Sequence, residues 1–357
     1  MNPYQPSQSR RSLETISVWA IIGTLIAAIF IFIPSFPVPS VITKTFVLTA
    51  GVLITLAIYI LARLGRGNII FPPVILIGAL WLPVAAYALS SLFSGVAFSN
   101  ALWGSNIETD TFGFMLIMAF FSTLSALILR RSEHYRSFLQ AGAGILAAVV
   151  ALQIITIIVG QFAPNTISPS FSIVGSFQDI AFLLGLGVIG MLIALREFEL
   201  SQKMRRILIA CGTGALLLLA IANSPTVWIL LALVSLGLFV ETIMQRGPKS
   251  SDADLDDMNV MNEEPVEIDD GNRSLIMPLS VLAISLFFYI GGTLGGALAD
   301  TLNINLISVS PSWQSTFEVA RNVYTTSPAF GSGPGTFGLD WLKYRDASLN
   351  STIFWNI

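Results

Sequence analysis

The sequence predicts an all-α fold, a polytopic transmembrane helical protein of about nine spans with its N-terminus inside, and three observations predict it. The first is composition: of 357 residues, 54% are hydrophobic and 11% charged, more apolar side chain than one water-soluble core could hide. The second is run length. Apolar runs cover about residues 15–33, 43–63, 69–92, 112–130, 137–160, 180–195, 207–222, 226–243 and 275–293, most of them near the ~20 residues that carry a helix across a ~30 Å hydrocarbon layer. They are continuous rather than alternating, so of the two shapes that lipid tolerates they specify helices and not a closed barrel. The third is charge asymmetry. With loops alternating between the two faces, Arg10, Arg11, Arg63, Arg66, Arg130, Arg131, Arg136, Arg196, Lys203, Arg205, Arg206, Arg246, Lys249 and Arg273, out of 18 Lys and Arg in all, fall on the N-terminal side. By the positive-inside rule that side is the cytoplasm. Before residue 293 only Lys44 departs from the pattern, at a helix end where it can snorkel to the interface.

Taken in order, a cytoplasmic tail at 1–14 precedes the first span. That span is longer than a signal-peptide core, and no small-residue cleavage site precedes the Pro-Ser-Phe-Pro-Val-Pro-Ser turn at 34–40, so it is read as a retained anchor. Residues 15–243 form an eight-span membrane domain. Its outer connections are 34–40, 94–111, 161–179 and Asn223-Ser224-Pro225, the last tight enough to force an antiparallel helix hairpin. The inner loop at 244–274 concentrates acidic residues between Asp252 and Asp270 and is expected to be disordered. Asp252, Asp254, Asp256 and Glu263 match positions 1, 3, 5 and 12 of an EF-hand loop, but Asp257 stands where the turn needs glycine, and a plain acidic linker is the preferred reading. A ninth span at 275–293 then delivers residues 294–357 to the periplasm or cell exterior.

Several function classes are excluded at this stage. The net charge of −3 averages a basic inner rim with an acidic loop, and no nucleic-acid partner is expected. Cys211 is the single cysteine and lies in a span, so no intrachain disulfide forms. No ionisable residue lies mid-span, where ion-coupled transporters place theirs; Gln153 is the most polar deep side chain.

Function should therefore reside in the outer segments. Ser310 and Pro311 make a hydroxyl cap followed by proline at the first helical position. From there Trp313, Phe317, Ala320 and Tyr324 recur at helical spacing, predicting an amphipathic helix to about Thr326 with one apolar stripe. Arg321 flanks the stripe, either as half of an exposed pair with Glu318 or as a cation beside a lipid-borne phosphate. Pro328 ends the helix, and Gly331, Gly333 and Gly335 alternate through the turn that follows. That turn is neither a dinucleotide fingerprint nor a P-loop, since Pro334 breaks the first and no Lys-Ser/Thr completes the second.

Four stretches together resemble the O-antigen ligase-like membrane protein superfamily, which includes O-antigen ligases and Wzy-type polysaccharide polymerases. They are Leu102-Trp103-Gly104 with Glu108-Thr109-Asp110-Thr111; Gly175-Ser176-Phe177-Gln178-Asp179; Asn223-Ser224-Pro225-Thr226-Val227-Trp228, where many relatives read Ser-Arg-Gly; and Pro328-Ala329-Phe330-Gly331-Ser332-Gly333-Pro334-Gly335-Thr336-Phe337. The outer stretch from Pro311 to Asn356 is similar to a subgroup in which an arginine precedes Pro-Ser-Trp; here that position is Ser310.

The resemblance implies a multi-pass protein of the inner membrane carrying out metal-independent, inverting glycan transfer on its outer face, without a cofactor. The donor would be an undecaprenyl-diphosphate-linked glycan and the acceptor a lipid or another glycan, with membrane lipid as surroundings. It implies outer cations for the diphosphate, carried here by Arg321, Lys343 and Arg345, with Gly331, Gly333, Gly335, Trp313 and Trp341 completing the substrate-binding set. The ligases use an outer histidine as base, whereas His134, the sole histidine, falls on the inner side. Asp346, Glu318 and Asp340 are then the candidate catalytic carboxylates, with Glu108 or Asp110 able to approach from the third outer region. Asp110 and Asp179 also read as N-caps of the spans they precede. Relatives continue into further spans, so the chain is read as C-terminally incomplete, and catalytic residues are to be sought beyond Ile357 as well. The competing reading is a lipid-linked glycan binding or transport component without chemistry, for which Trp313, Phe337, Trp341 and Trp355 serve equally.

Overall fold

The computed structural model describes residues 8–31, 40–64, 71–104, 108–198, 200–245, 270–304, 306 and 313–346. The EF-hand-like register at 252–263, the Ser310-Pro311 helix start and Trp355 lie outside them. The described chain is helical without strands. Its helices are α1 (Gln8–Phe30), α2 (Ser40–Arg63), α3 (Val74–Phe93), α4 (Phe98–Trp103), α5 (Phe112–Ile128), α6 (Ser132–Phe162) and α7 (Phe177–Glu197). They continue as α8 (Gln202–Ala222), α9 (Pro225–Gln245), α10 (Asp270–Ile290), α11 (Gly292–Thr301), α12 (Trp313–Thr326) and α13 (Phe337–Tyr344).

Among the described residues, eight of the nine apolar runs lie mainly on one helix each and the ninth on two, which makes this an all-α multi-pass membrane protein. Seven of those helices are long and apolar enough to cross a membrane. Of the other two, α5 has 17 residues, and the run at 275–293 is divided: α10 stops at Ile290 and turns by 80° into α11. The expected straight ninth span is thus a bent pair. Exposure fits a lipid environment. On α3 only Val84 and Ser91 are buried, while Val74 and Ile75 are 84% and 87% exposed, an arrangement that water would penalise by roughly 25 cal/mol per Å² and lipid does not.

Two compact units divide the chain, and α6 contributes to both. In the first (Met1–Ala141 and Ile307–Ile357), Val18, Ile21 and Ile22 of α1 pack with Val52 of α2 and Leu124 and Leu127 of α5. Gly51 makes the close approach of α1 and α2: a Cβ there would stand 2.4 Å from Thr24 Cγ2. The predicted outer ends gather together, since Ser90 at the end of α3 donates to the carbonyl of Phe330 at 2.8 Å. The predicted inner ends also gather, with Glu14 of α1 between Arg63 of α2 and Arg131 after α5.

In the second unit (Gly142–Leu306), Leu184, Val188, Leu219 and Leu231 are fully buried among α7, α8 and α9. Gln153 is buried, and its Nε2 donates to the carbonyl of Phe171 at 3.1 Å. Asn223 ends α8 in the left-handed conformation, φ 46, and its Nδ2 donates to the carbonyl of Gly292, 2.9 Å, at the elbow between α10 and α11. Gly292 is the first residue of α11, so this bond ties the end of α8 to the elbow.

Candidate functional site

The outer end of the first unit is built from two of the four motif stretches. Thr111 caps α5: its hydroxyl accepts from the Phe114 amide at 3.3 Å and donates to the Glu108 carbonyl at 2.9 Å. The expected N-cap role of Asp110 is therefore corrected. Threonine one residue later takes the helix start, and the Asp110 carboxylate is left for the neighbouring cavity. Gly113 lets α5 approach α4, because a Cβ there would stand 2.4 Å from the carbonyl oxygen of Leu102.

The glycine turn closes over this platform. The Phe330 ring stacks on Phe93 at 4.8 Å, and the amide of Gly335 donates to the carbonyl of Asp110 at 3.0 Å. Gly333 has φ 109, and a Cβ on it would meet Ser94 Oγ at 2.5 Å and Val96 Cγ2 at 2.6 Å. Only glycine meets both demands. The turn then stiffens itself through Ser332, whose hydroxyl donates to the Asp340 carboxylate. Thr336 Oγ1 lies 2.7 Å from the Gly333 carbonyl and 3.2 Å from the same carboxylate.

Between the turn, α3 and α12 lies a cavity of about 890 Å³ lined by Tyr87, Asp110, Val319, Val323, Gly331, Gly333, Gly335, Asp340 and their neighbours. Two carboxylates thus face one concave outer space. Burial raises the pKa of Asp110; a hydrogen bond from its own backbone opposes this, and the charge of Glu108 adds to the rise. Of the expected catalytic carboxylates Asp340 lines the cavity, while Glu318 and Asp346 do not. Of the expected binding residues the three glycines line it. Arg321, Lys343, Arg345, Trp313 and Trp341 do not.

The cations are placed differently from one another. Lys343 is fully exposed, with Nζ 4.8 Å from the ring centroid of Tyr344, and the hydrogen bond to that tyrosine raises its pKa. Arg321 is exposed on α12. Arg345 is half-buried, and its Nη1 has no hydrogen-bond partner among the described residues. The helix α12 confirms the amphipathic segment, but the face it turns inward is centred one residue aside. Val319 is its buried residue, and Thr316 and Val323 join it at the cavity together with Ala320 and Tyr324 of the predicted stripe, while Trp313 and Phe317 of that stripe are 70% and 67% exposed.

Tyr87 and Ser90 were not singled out from the sequence. The signal available was a pair of polar residues three apart, hence on one face, in the last two turns of an otherwise apolar span.

The remaining two motif stretches lie in the second unit and have structural work. Ser176, rather than Asp179, is the N-cap of α7. Asp179 completes a capping box, with Ser176 N donating to its Oδ2 at 2.8 Å. Trp228 is buried and stacks on Phe288 at 5.1 Å. Comparison with family models, with curated proteins and with solved structures returned no match for the chain.

Proposed function

We propose that this multi-pass membrane protein is a glycan ligase or polymerase of the O-antigen ligase-like kind, transferring a glycan from an undecaprenyl-diphosphate carrier to a lipid or glycan acceptor on the outer face of the cytoplasmic membrane. The observation that carries this reading is the shared cavity: stretches around Asp110 and around Gly333, far apart in sequence, line one space with two carboxylates. The excess of Lys and Arg in the loops at the opposite end of the spans supports a cytoplasmic side there by the positive-inside rule.

In this mechanism the acceptor hydroxyl oxygen attacks the anomeric carbon of the donor, the bond from that carbon to phosphate oxygen breaks, and undecaprenyl diphosphate leaves with the bonding pair. Asp110 takes the hydroxyl proton. It is better suited than Asp340 because burial raises the pKa of its carboxyl, whereas the Asp340 carboxylate is occupied in holding Ser332. Arg345 is the favoured cation for the diphosphate, since a partly buried guanidinium nitrogen without a partner gains most from an anionic acceptor.

The second reading, a lipid-linked glycan binding component without chemistry, is favoured by one observation: none of the three outer cations lines the cavity. Incubation of the purified protein with an undecaprenyl-diphosphate glycan and an acceptor distinguishes the two. The transferase releases undecaprenyl diphosphate in step with glycan product; binding of the donor without release leaves the second reading.

A further inference from the structure

The inner end of the first unit holds a second cavity, of about 240 Å³, lined by Glu14, Tyr59, Arg63, Arg130, Arg131 and His134 among others. Three guanidinium groups surround one carboxylate. Glu14 lies 3.5 Å from Arg63 Nη1 through one oxygen and 3.5 Å from Arg131 Nη2 through the other. That leaves a surplus of two positive charges before His134 is counted. Arg63 is further held 5.4 Å above the ring of Tyr59, yet its buried Nε has no hydrogen-bond partner among the described residues. His134 lies with Nδ1 3.2 Å from the carbonyl of Ile128. A carbonyl only accepts, so Nδ1 carries the proton and Nε2 is the nitrogen left for another contact.

The position in the chain supplies the second half of the argument. Arg63 is the last residue of α2, Arg130 and Arg131 follow α5, and Glu14 sits where the apolar part of α1 begins. All are therefore at the polar edge of the hydrocarbon layer, the depth of lipid phosphates. Surplus positive charge, an unpartnered donor and a concave wall at that depth fit one ligand chemistry, a phosphate monoanion carried by a lipid. We propose that this cavity binds the headgroup phosphate of an anionic phospholipid, with Arg63, Arg130 and Arg131 as its ligands and Glu14 offsetting one of their three charges.

The full chain in a neutral detergent is titrated with phosphatidylglycerol and, separately, with phosphatidylcholine of the same acyl chains, and bound lipid is read by native mass spectrometry. Phosphatidylglycerol is expected to bind at least about tenfold more tightly. Joint replacement R130Q/R131Q, at two side chains near the surface that should not disturb folding, is expected to reduce that preference by about tenfold to thirtyfold. The double variant K203Q/R206Q removes the same charge elsewhere on the basic side and should leave the preference unchanged. Glu14→Gln, which removes the competing carboxylate, should keep or strengthen binding, whereas a merely structural ion pair would give a weaker one. Equal binding of the two lipids, or equal loss in both double variants, overturns the site. Displacement of the lipid by inorganic phosphate at about the lipid's own concentration also overturns it, because the acyl chains would then contribute nothing and the ligand would be the free anion.

Discussion

Asp110 combines two properties that pull in opposite directions, and its replacement separates them. A carboxyl whose folded pKa is raised above its unfolded value of ~3.9 favours the folded state most below that value and loses this contribution as pH rises through the folded pKa. At neutral pH the ionised group is therefore a burden on stability. Asp110→Asn is expected to raise the thermal midpoint of the detergent-solubilised protein at pH 7 while lowering glycan transfer by about a hundredfold to ten-thousandfold, the usual range for a lost general base. The acid limb of the wild-type rate profile should lie above that of an ordinary carboxylate and should disappear in the variant. A variant that is both less stable and fully active would remove Asp110 from the mechanism. The turn offers a second residue-scale test. Gly331 and Gly333 both have positive φ, but a Cβ on Gly331 meets open space while one on Gly333 meets Ser94 and Val96. Gly333→Ala should cost about 1–3 kcal/mol more than Gly331→Ala, read as a larger drop in thermal midpoint and a larger loss of donor binding.

Helices were the most legible level of this chain because lipid leaves the backbone no alternative, so among the described residues every apolar run lies mainly on one helix or, for the ninth, on two. What could not be read was which way a helix turns. The spacing of Trp313, Phe317, Ala320 and Tyr324 defines an apolar stripe, yet the face that packs is centred one residue aside, on Val319 and Val323, taking in Ala320 and Tyr324 and leaving Trp313 and Phe317 exposed. Aromatic residues suit a membrane interface as well as a core, and periodicity does not distinguish those environments. Helix starts were legible to within one to three residues: Thr111 and Ser176 took the caps expected of Asp110 and Asp179, since hydroxyl and carboxylate compete for the same amides. The cavity was half legible. Its glycines and Asp340 stand in a recognisable turn, whereas Tyr87 and Ser90 enter it only through long-range packing against α3. Helix pairing carries its own prediction. Thr24 is buried, and its hydroxyl donates to Ala20 O at 2.8 Å, so it has nowhere to move when Gly51 gains a methyl. Gly51→Ala should lower the thermal midpoint by the equivalent of about 1–3 kcal/mol, while Gly23→Ala, which meets nothing, should be neutral or slightly stabilising.

At the scale of the whole molecule the basic loops and the bonded ends make one demand together. The turn at 328–336 is bonded to the end of α3 and to Asp110, so residues 313–346 share a face with 94–104. If α5 to α9 each cross once, the bent pair α10–α11 counts as one crossing in spite of its elbow. Reporter fusions after Arg136, Arg206 and residue 260 should accordingly report cytoplasm, and fusions near 104, 170 and 340 the opposite compartment. A cytoplasmic signal at 340 would sink the proposed transfer on the outer face.

The shortness of α5 reaches beyond the protein itself. Its 17 residues rise about 26 Å at 1.5 Å each, some 4 Å less than a ~30 Å hydrocarbon layer, and tilting only widens the difference. Hydrophobic mismatch of this kind is relieved by thinning of the surrounding bilayer. Because α5 begins immediately after Asp110 and Thr111, such a dip would fall beside the cavity. A lipid-linked diphosphate riding at the surface would be lowered there toward the carboxylate, so the membrane's own deformation would share in presenting the donor.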